Sequence, residues 1–235
     1  MIDFIPAPAS LPHGRRVYAV GDVHGCLDRL IALHDLIADD LRERPADAIL
    51  IHLGDYVDRG RDSAGVVARL AEAPLEMPAV NLMGNHEQMM LTALATGEPE
   101  ATDLWLANGG GDALSSWGVP RSALPQEWAS YMPRPHLIFL RDLAVRHELG
   151  GYLFVHAGIR PGVPLDRQSR HDQIWIREPF LSSNDPFGLV VVHGHTPRPT
   201  PVVRPNRIGI DTGAVMGGVL TCAVLEDDRL GFITA

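Results

Sequence analysis

The chain has no lysine: all 20 of its basic residues are arginine. That absence excludes a P-loop nucleotide hydrolase, a Schiff-base enzyme and any mechanism with a lysine general base. Cysteine is nearly as scarce. Cys26 and Cys222 stand alone, give neither a disulfide framework nor a zinc spacing, and are expected as reduced thiols. Apolar runs such as Leu189–Val192 fall far short of the about 20 residues needed to cross a bilayer, so no membrane partner is expected. Between Met1 and Arg16 no charged start leads into an apolar run, so no secretory signal is expected and the expected location is the cytoplasm. Positive charge is short as well. Against 29 acidic residues the net charge is −9, and with no basic block in the chain nucleic acid is a disfavoured partner.

What remains is an ordinary globular composition: 235 residues, 46% hydrophobic and 21% charged. One domain over residues 1–235 is expected, because single cores extend to about 250 residues. Histidine is abundant, at 11 copies. It is the commonest metal ligand and the proton carrier of neutral pH.

The hydrophobic pattern alternates between strand and helix. Strands are expected at Val17–Val20, Ala48–Leu53 and Ala79–Met83, with helices at Leu27–Leu41, Ser63–Ala73 and Glu87–Ala95. Such βαβ units imply a largely parallel sheet. From Gly97 to Pro135 no strand pattern appears, and Trp105, Trp117, Trp128 and Tyr131 lie among helical fragments. This reads as a helical insertion, around residues 97–135, with its own small aromatic core. Strands return at Leu143–Leu149, Tyr152–His156, Leu189–His193, Val202–Val203, Arg207–Asp211, Gly218–Leu225 and Leu230–Ile233. Because helices are not expected among these later strands, they are assigned together to a second sheet facing the first. The fold class is α/β, two sheets with helices outside.

Five blocks place polar side chains directly after apolar strands: Gly21-Asp22-Val23-His24-Gly25, Gly54-Asp55-Tyr56-Val57-Asp58-Arg59-Gly60, Gly84-Asn85-His86-Glu87, His156-Ala157-Gly158 and His193-Gly194-His195-Thr196. Ligands in open α/β sheets bind at the carboxyl ends of strands, so the blocks should converge. Asp22 and His24 are two apart and share one side of an extended segment. Asp55 has lone pairs enough to bridge two ions, Asn85 adds a neutral oxygen, and His156 and His195 add imidazoles. This donor set suits Mn²⁺, Fe or Zn²⁺ better than Ca²⁺ or Mg²⁺. Arg59 can grip phosphate oxygens in bidentate fashion. His86 is placed to protonate a leaving group, with Asp58 as its carboxylate partner. His193 and Glu87 are expected to support the site rather than bind an ion. His13, His34, His52, His136, His147 and His171 carry no partner pattern, and His52 is expected beneath the site.

Each block alone is a common turn; five in order are distinctive. Together they resemble the phosphoprotein phosphatases, a family of dimetal phosphoesterases, and above all its small bacterial and phage-type serine/threonine members. The patterns G-D-x-H-G, G-D-x-x-D-R-G and G-N-H-E are intact, followed by two later histidines. Trp105 with Asn108-Gly109-Gly110, Trp175-Ile176-Arg177 and Asp211-Thr212-Gly213-Ala214 extend the likeness. The resemblance implies a calcineurin-like β-sandwich flanked by helices. It implies one ion on Asp22, His24 and Asp55 and another on Asp55, Asn85, His156 and His195, most readily Mn²⁺. It makes His86 the general acid with Asp58 as partner, and Arg59 and Arg177 the phosphate-binding arginines. The expected activity is hydrolysis of phosphoserine or phosphothreonine, and of phosphotyrosine as a further option, by in-line attack of a metal-bridging hydroxide. A phosphoprotein or phosphopeptide is the expected partner, and a monomer the expected state. Two other readings compete: a diadenosine tetraphosphate hydrolase using the same ligands, and a catalytically dead binding module.

Overall fold

The computed structural model describes residues 2–73 and 75–235. Eleven strands are present among them: β1 (Ile5–Pro6), β2 (Arg15–Val20), β3 (Asp47–His52), β4 (Ala79–Asn81), β5 (Arg146–Leu149), β6 (Tyr152–Val155), β7 (Val190–His193), β8 (Val202–Arg204), β9 (Arg207–Gly209), β10 (Thr221–Glu226) and β11 (Arg229–Thr234). The helices are α1 (Leu27–Glu43), α2 (Ser63–Ala71), α3 (Asn85–Thr96), α4 (Pro99–Trp105), α5 (Gly111–Ser116), α6 (Arg134–Arg141) and α7 (Arg170–Trp175). No helix of the described residues is long and apolar enough to cross a membrane.

The strands form a six-stranded sheet, ordered β1, β11, β10, β2, β3, β4, and a five-stranded sheet, ordered β5, β6, β7, β9, β8. β2, β3 and β4 run parallel in the first, and β6, β7 and β9 in the second. Alternation along each strand builds two cores from one sequence. Val17, Ala19, Ile49 and Ile51 of the first sheet meet Tyr152, Phe154, Val190, Val192 and Ile208 of the second. The intervening Tyr18, Val20 and Leu50 point the other way, onto Leu30, Leu33 and Ile37 of α1 and Val66, Val67 and Leu70 of α2. Those helical residues repeat at three- and four-residue spacing, as a buried stripe requires.

Three expectations are corrected. β10 and β11 belong to the first sheet, antiparallel to β2 and capped by β1; they do not join the second. Cys222 and Val224 face the helices while Ala223 and Leu225 face the sandwich, so these residues suit the sheet buried on both sides. A helix, α7, also lies among the later strands. β6 and β7 are parallel, and a parallel pair needs a long crossover, which the segment containing α7 provides. The insertion is helical, as expected, but its aromatics form no separate core: Trp105, Trp117 and Trp128 join the core shared with α1, α2 and α3, and Tyr131 is exposed, because the insertion packs directly on those helices. His34 and His52 are structural. Arg69 donates to His34 Nδ1 at 3.0 Å, leaving His34 Nε2 to donate to His52 Nε2 at 3.0 Å and His52 Nδ1 to donate to Asn81 at 2.8 Å. This chain ties α2 and α1 to β3 and β4 with every ring nitrogen paired.

Candidate active site

All five blocks follow the carboxyl ends of the parallel strands of both sheets. β2, β3 and β4 deliver Asp22 and His24, Asp55, and Asn85 and His86; β6 and β7 deliver His156 and His195. The ends of the two sheets are cross-tied where His156 Nδ1 donates to the Leu53 carbonyl at 2.9 Å. The turns are tight. His24, Asp55, Asp58, Arg59 and His195 all adopt positive φ, between 45° and 73°, although non-glycine residues avoid that region. Such strain costs about 1–3 kcal/mol per residue and gathers at functional sites. Glycine is required at positions 84 and 194 because a Cβ there would collide with the carboxylates of Asp55 and Asp22 respectively.

Asp55 stands between two groups of donors, all buried: His24 and His86 on one side, His156 and His195 on the other. His24 Nε2 and His156 Nε2 each lie 3.4 Å from one Asp55 oxygen. Asn85 Oδ1 is 3.1 Å from His156 Nε2. The Asp22 carboxylate accepts the His195 N–H at 3.1 and 3.2 Å. His24 Nδ1 donates to the Val57 carbonyl at 2.8 Å, which leaves Nε2 as its acceptor nitrogen. Six candidate ligands are therefore brought together, with His86 beside His24 at a ring distance of 4.6 Å.

The residues fit a pair of cations. His195 Nε2 is buried and has no hydrogen-bond partner, a costly state that a metal ion would relieve. Asp55, shared by both donor groups, matches a bridging carboxylate. Burial alone would raise the Asp55 pKa, but the charge and hydrogen bond of His156, its largest opposing neighbour, outweigh it and hold the carboxyl well below its usual range. Burial would likewise lower the His156 pKa, yet Asp55, Asp22 and Glu87 push it up to about 10. Burial drives both His24 and His195 down to about 3, so both are neutral and available as ligands.

His86 and Asp58 are hydrogen-bonded. His86 Nδ1 donates to Asp58 Oδ2 at 2.7 Å, leaving Nε2 turned to the donor cluster, 3.9 Å from Asp55. Trp105, from the insertion, donates its indole N–H to both Asp58 oxygens at 2.9 and 3.1 Å. The insertion also meets Arg59: the Arg59 N–H donates to the Gly109 carbonyl at 3.3 Å, and Gly109 takes φ 103° against the arginine side chain. Arg59 Nη1 donates to His24 Nε2 at 2.9 Å. Arg177 is not drawn into this network. It is exposed beyond Ile176, near enough for its charge to bear on His195.

Glu87 supports the site from a helix start, as expected, through contacts that its spacing does not reveal. It is fully buried in the first turn of α3, where one oxygen accepts from the N–H groups of Asp55 and Gly84 and the other from those of Tyr56 and Val57, at 2.7–3.2 Å. Burial and the nearby Asp55 charge raise its pKa to about 7. A glutamate three residues beyond a glycine N-cap was the available signal, but its reach into the Asp55 turn depends on tertiary structure.

A family model described as calcineurin-like phosphoesterase matches residues 15–230. The chain belongs to that family. It is a metal-dependent phosphoester hydrolase. The chain is 34% identical over 221 residues to serine/threonine-protein phosphatase 1 of Salmonella typhimurium, covering 90% of this chain and 93% of that one. It is 23% identical to the asymmetrical bis(5'-nucleosyl)-tetraphosphatase PrpE of Halalkalibacterium halodurans, over 86% and 87% of the two chains. A crystal structure of a putative diadenosine tetraphosphatase superposes with a TM-score of 0.66 at 25% identity, covering 97% of this chain and 98% of that one. The fold of this calcineurin-like phosphoesterase thus accords with the expected two-sheet architecture.

Replacing Glu87 with Gln puts an amide N–H against backbone donors. Each donor left unpaired in the interior costs about 1–3 kcal/mol, so Glu87→Gln should lower the urea midpoint of chelator-treated protein and weaken Mn²⁺ binding. Unchanged midpoint and affinity would show that the four hydrogen bonds do not hold the site.

Proposed function

We propose that the chain is a phosphomonoesterase acting on phosphoserine and phosphothreonine in proteins. The observation that carries this reading is the intact Asp58-Arg59-Gly60 turn, with Asp58 bonded to His86 and Arg59 at the mouth of the donor cluster. The 34% identity to a serine/threonine-protein phosphatase over nine-tenths of the chain supports the same substrate class. Asp22, His24 and Asp55 would hold one divalent cation, and Asp55, Asn85, His156 and His195 the other, with Mn²⁺ the favoured ion. Such a pair, when bound, supplies Lewis acidity at the phosphoryl oxygens and lowers the pKa of a coordinated water.

The protein's own groups do the rest. Arg59 turns its guanidinium from His24 onto the phosphoryl oxygens, and Arg177 approaches from the rim, so that charge building on those oxygens meets fixed positive groups. His86 Nε2 carries the proton that the departing serine or threonine alkoxide requires. Asp58 fixes His86 with Nδ1 protonated, and Trp105 in turn fixes Asp58. The buried setting of this relay keeps solvent from competing for either hydrogen bond.

A second reading has specific support: the similarity to PrpE and to the putative diadenosine tetraphosphatase. The same donor cluster and the same proton donor serve a phosphoanhydride, so the discriminating test is substrate preference. Mn²⁺-loaded enzyme offered equal concentrations of a phosphothreonine peptide and diadenosine tetraphosphate should show the higher kcat/KM for the peptide, releasing inorganic phosphate. Preferred cleavage of the dinucleotide, to two ADP or to ATP and AMP, would move the substrate class to nucleotides.

The role of His86 has its own test. His86→Asn should cut kcat by about 10²–10⁴-fold for alkyl phosphates, the usual contribution of a general acid, and far less for aryl phosphates, whose leaving groups need no proton. Equal losses on both would remove His86 from that role.

A further inference from the structure

A cavity of about 330 Å³ lies along β7, β8 and β9, and its wall carries Arg198, Arg204 and Arg207. His193 and Thr196, which flank His195, also line it, so it backs onto the His195 turn. No carboxylate lines this cavity, although the chain as a whole carries a net charge of −9. Arg207 is only 3% exposed. Its guanidinium donates to the carbonyls of Ser183, at 2.9 Å, and Leu181, and to the amide oxygen of Asn206 at 3.1 Å. These acceptors are all neutral. The Phe180 ring, 5.7 Å away, gives partial compensation. Burial lowers the Arg207 pKa and the Arg204 charge lowers it further; the field of Glu178 opposes both. None of the three arginines forms an ion pair among the described residues. Arg204 donates only to the amide oxygen of Asn184, at 3.3 Å, and Arg198 is exposed.

A buried cation without a counter-ion is unfavourable, and bringing two more cations to the same cavity deepens the cost. A multivalent anion would supply the missing negative charge. Guanidinium groups match phosphate oxygens in geometry as well as charge. His193 Nδ1 donates to the Gly194 carbonyl at 3.0 Å, which leaves Nε2 as an acceptor for a hydroxyl. Leu181 and Val202 leave an apolar side to the cavity, suited to a small organic group attached to the phosphate.

We propose that this arginine-lined cavity is a binding site for a phosphate dianion, separate from the candidate metal cluster. The proposal does not depend on which phosphoester the enzyme cleaves. The shared chemistry is the dianion, and two sources supply it: free inorganic phosphate and a nucleoside monophosphate.

Equilibrium dialysis of radiolabelled inorganic phosphate against the Mn²⁺-loaded enzyme tests this directly. The comparison is with the double variant Arg198→Ala/Arg204→Ala, whose side chains are exposed, with its circular dichroism spectrum and urea midpoint measured beside the wild type. Wild type should bind two phosphates per chain. The variant should keep one, lose affinity for the other by at least tenfold, and hydrolyse a small aryl phosphate at the wild-type rate. One phosphate bound by both proteins with equal affinity would overturn the proposal. Failure of the metal-site reading looks different: wild type would then bind one phosphate and the variant none. With AMP as competitor, displacement from the variant-sensitive site more tightly than by phosphate itself marks a nucleotide site; equal or weaker displacement marks a site for free phosphate.

Discussion

The geometry of the site depends on one buried carboxylate. Glu87 sits at the start of α3 and gathers the backbone N–H groups of Gly84, Asp55, Tyr56 and Val57. Asp55 returns the interaction by accepting the His86 N–H at 3.1 Å. The turns after β3 and β4 are thereby locked to each other and not merely adjacent. With the turns locked, Asp55 can hold a left-handed backbone that its side chain alone would not sustain. The carboxylate shared by both donor groups is then fixed in place before any ligand arrives, which is the preorganisation that electrostatic catalysis requires.

The helical insertion takes part in the same construction. Trp105 orients the carboxylate of Asp58, and Gly109 forms the surface against which Arg59 lies. Both contacts bear on groups that the proposed reaction needs: the partner of the proton donor and a phosphate-binding arginine. Trp105 is fully buried and stacks edge-on with Trp128 at 5.7 Å, so the packing of these tryptophans into the shared core also sets the position of the indole N–H. Fold completion and site construction are one role here.

Much of this was legible from residues alone. Short β-branched runs ending in Gly-Asp or Gly-Asn-His mark strand ends, and strand ends of parallel sheets face the same way, so convergence of the five blocks followed from topology. The donor set was legible because carboxylate, amide and imidazole at those ends have few other uses in combination. Sheet membership was not legible. β10 and β11 alternate like any strand buried on both faces, and the partner they choose is decided by long-range register with β2. α7 escaped notice because six residues carry little periodicity. The reach of Glu87, the indole of Trp105 and the cation cluster around Arg207 all depend on segments distant in sequence, so spacing could not reveal them. Arg177, inferred from resemblance, is exposed, and its guanidinium makes no hydrogen bond among the described residues.

The two sheets converge their strand ends on Asp55, the carboxylate that we propose two cations share. Anomalous diffraction from Mn²⁺-loaded crystals, collected on either side of the manganese edge, addresses that sharing most directly. Two peaks about 3.5–4 Å apart are expected, both touching the Asp55 carboxylate, with His24 on one ion and His156 and His195 on the other. A single peak, or two peaks neither of which contacts Asp55, would contradict it.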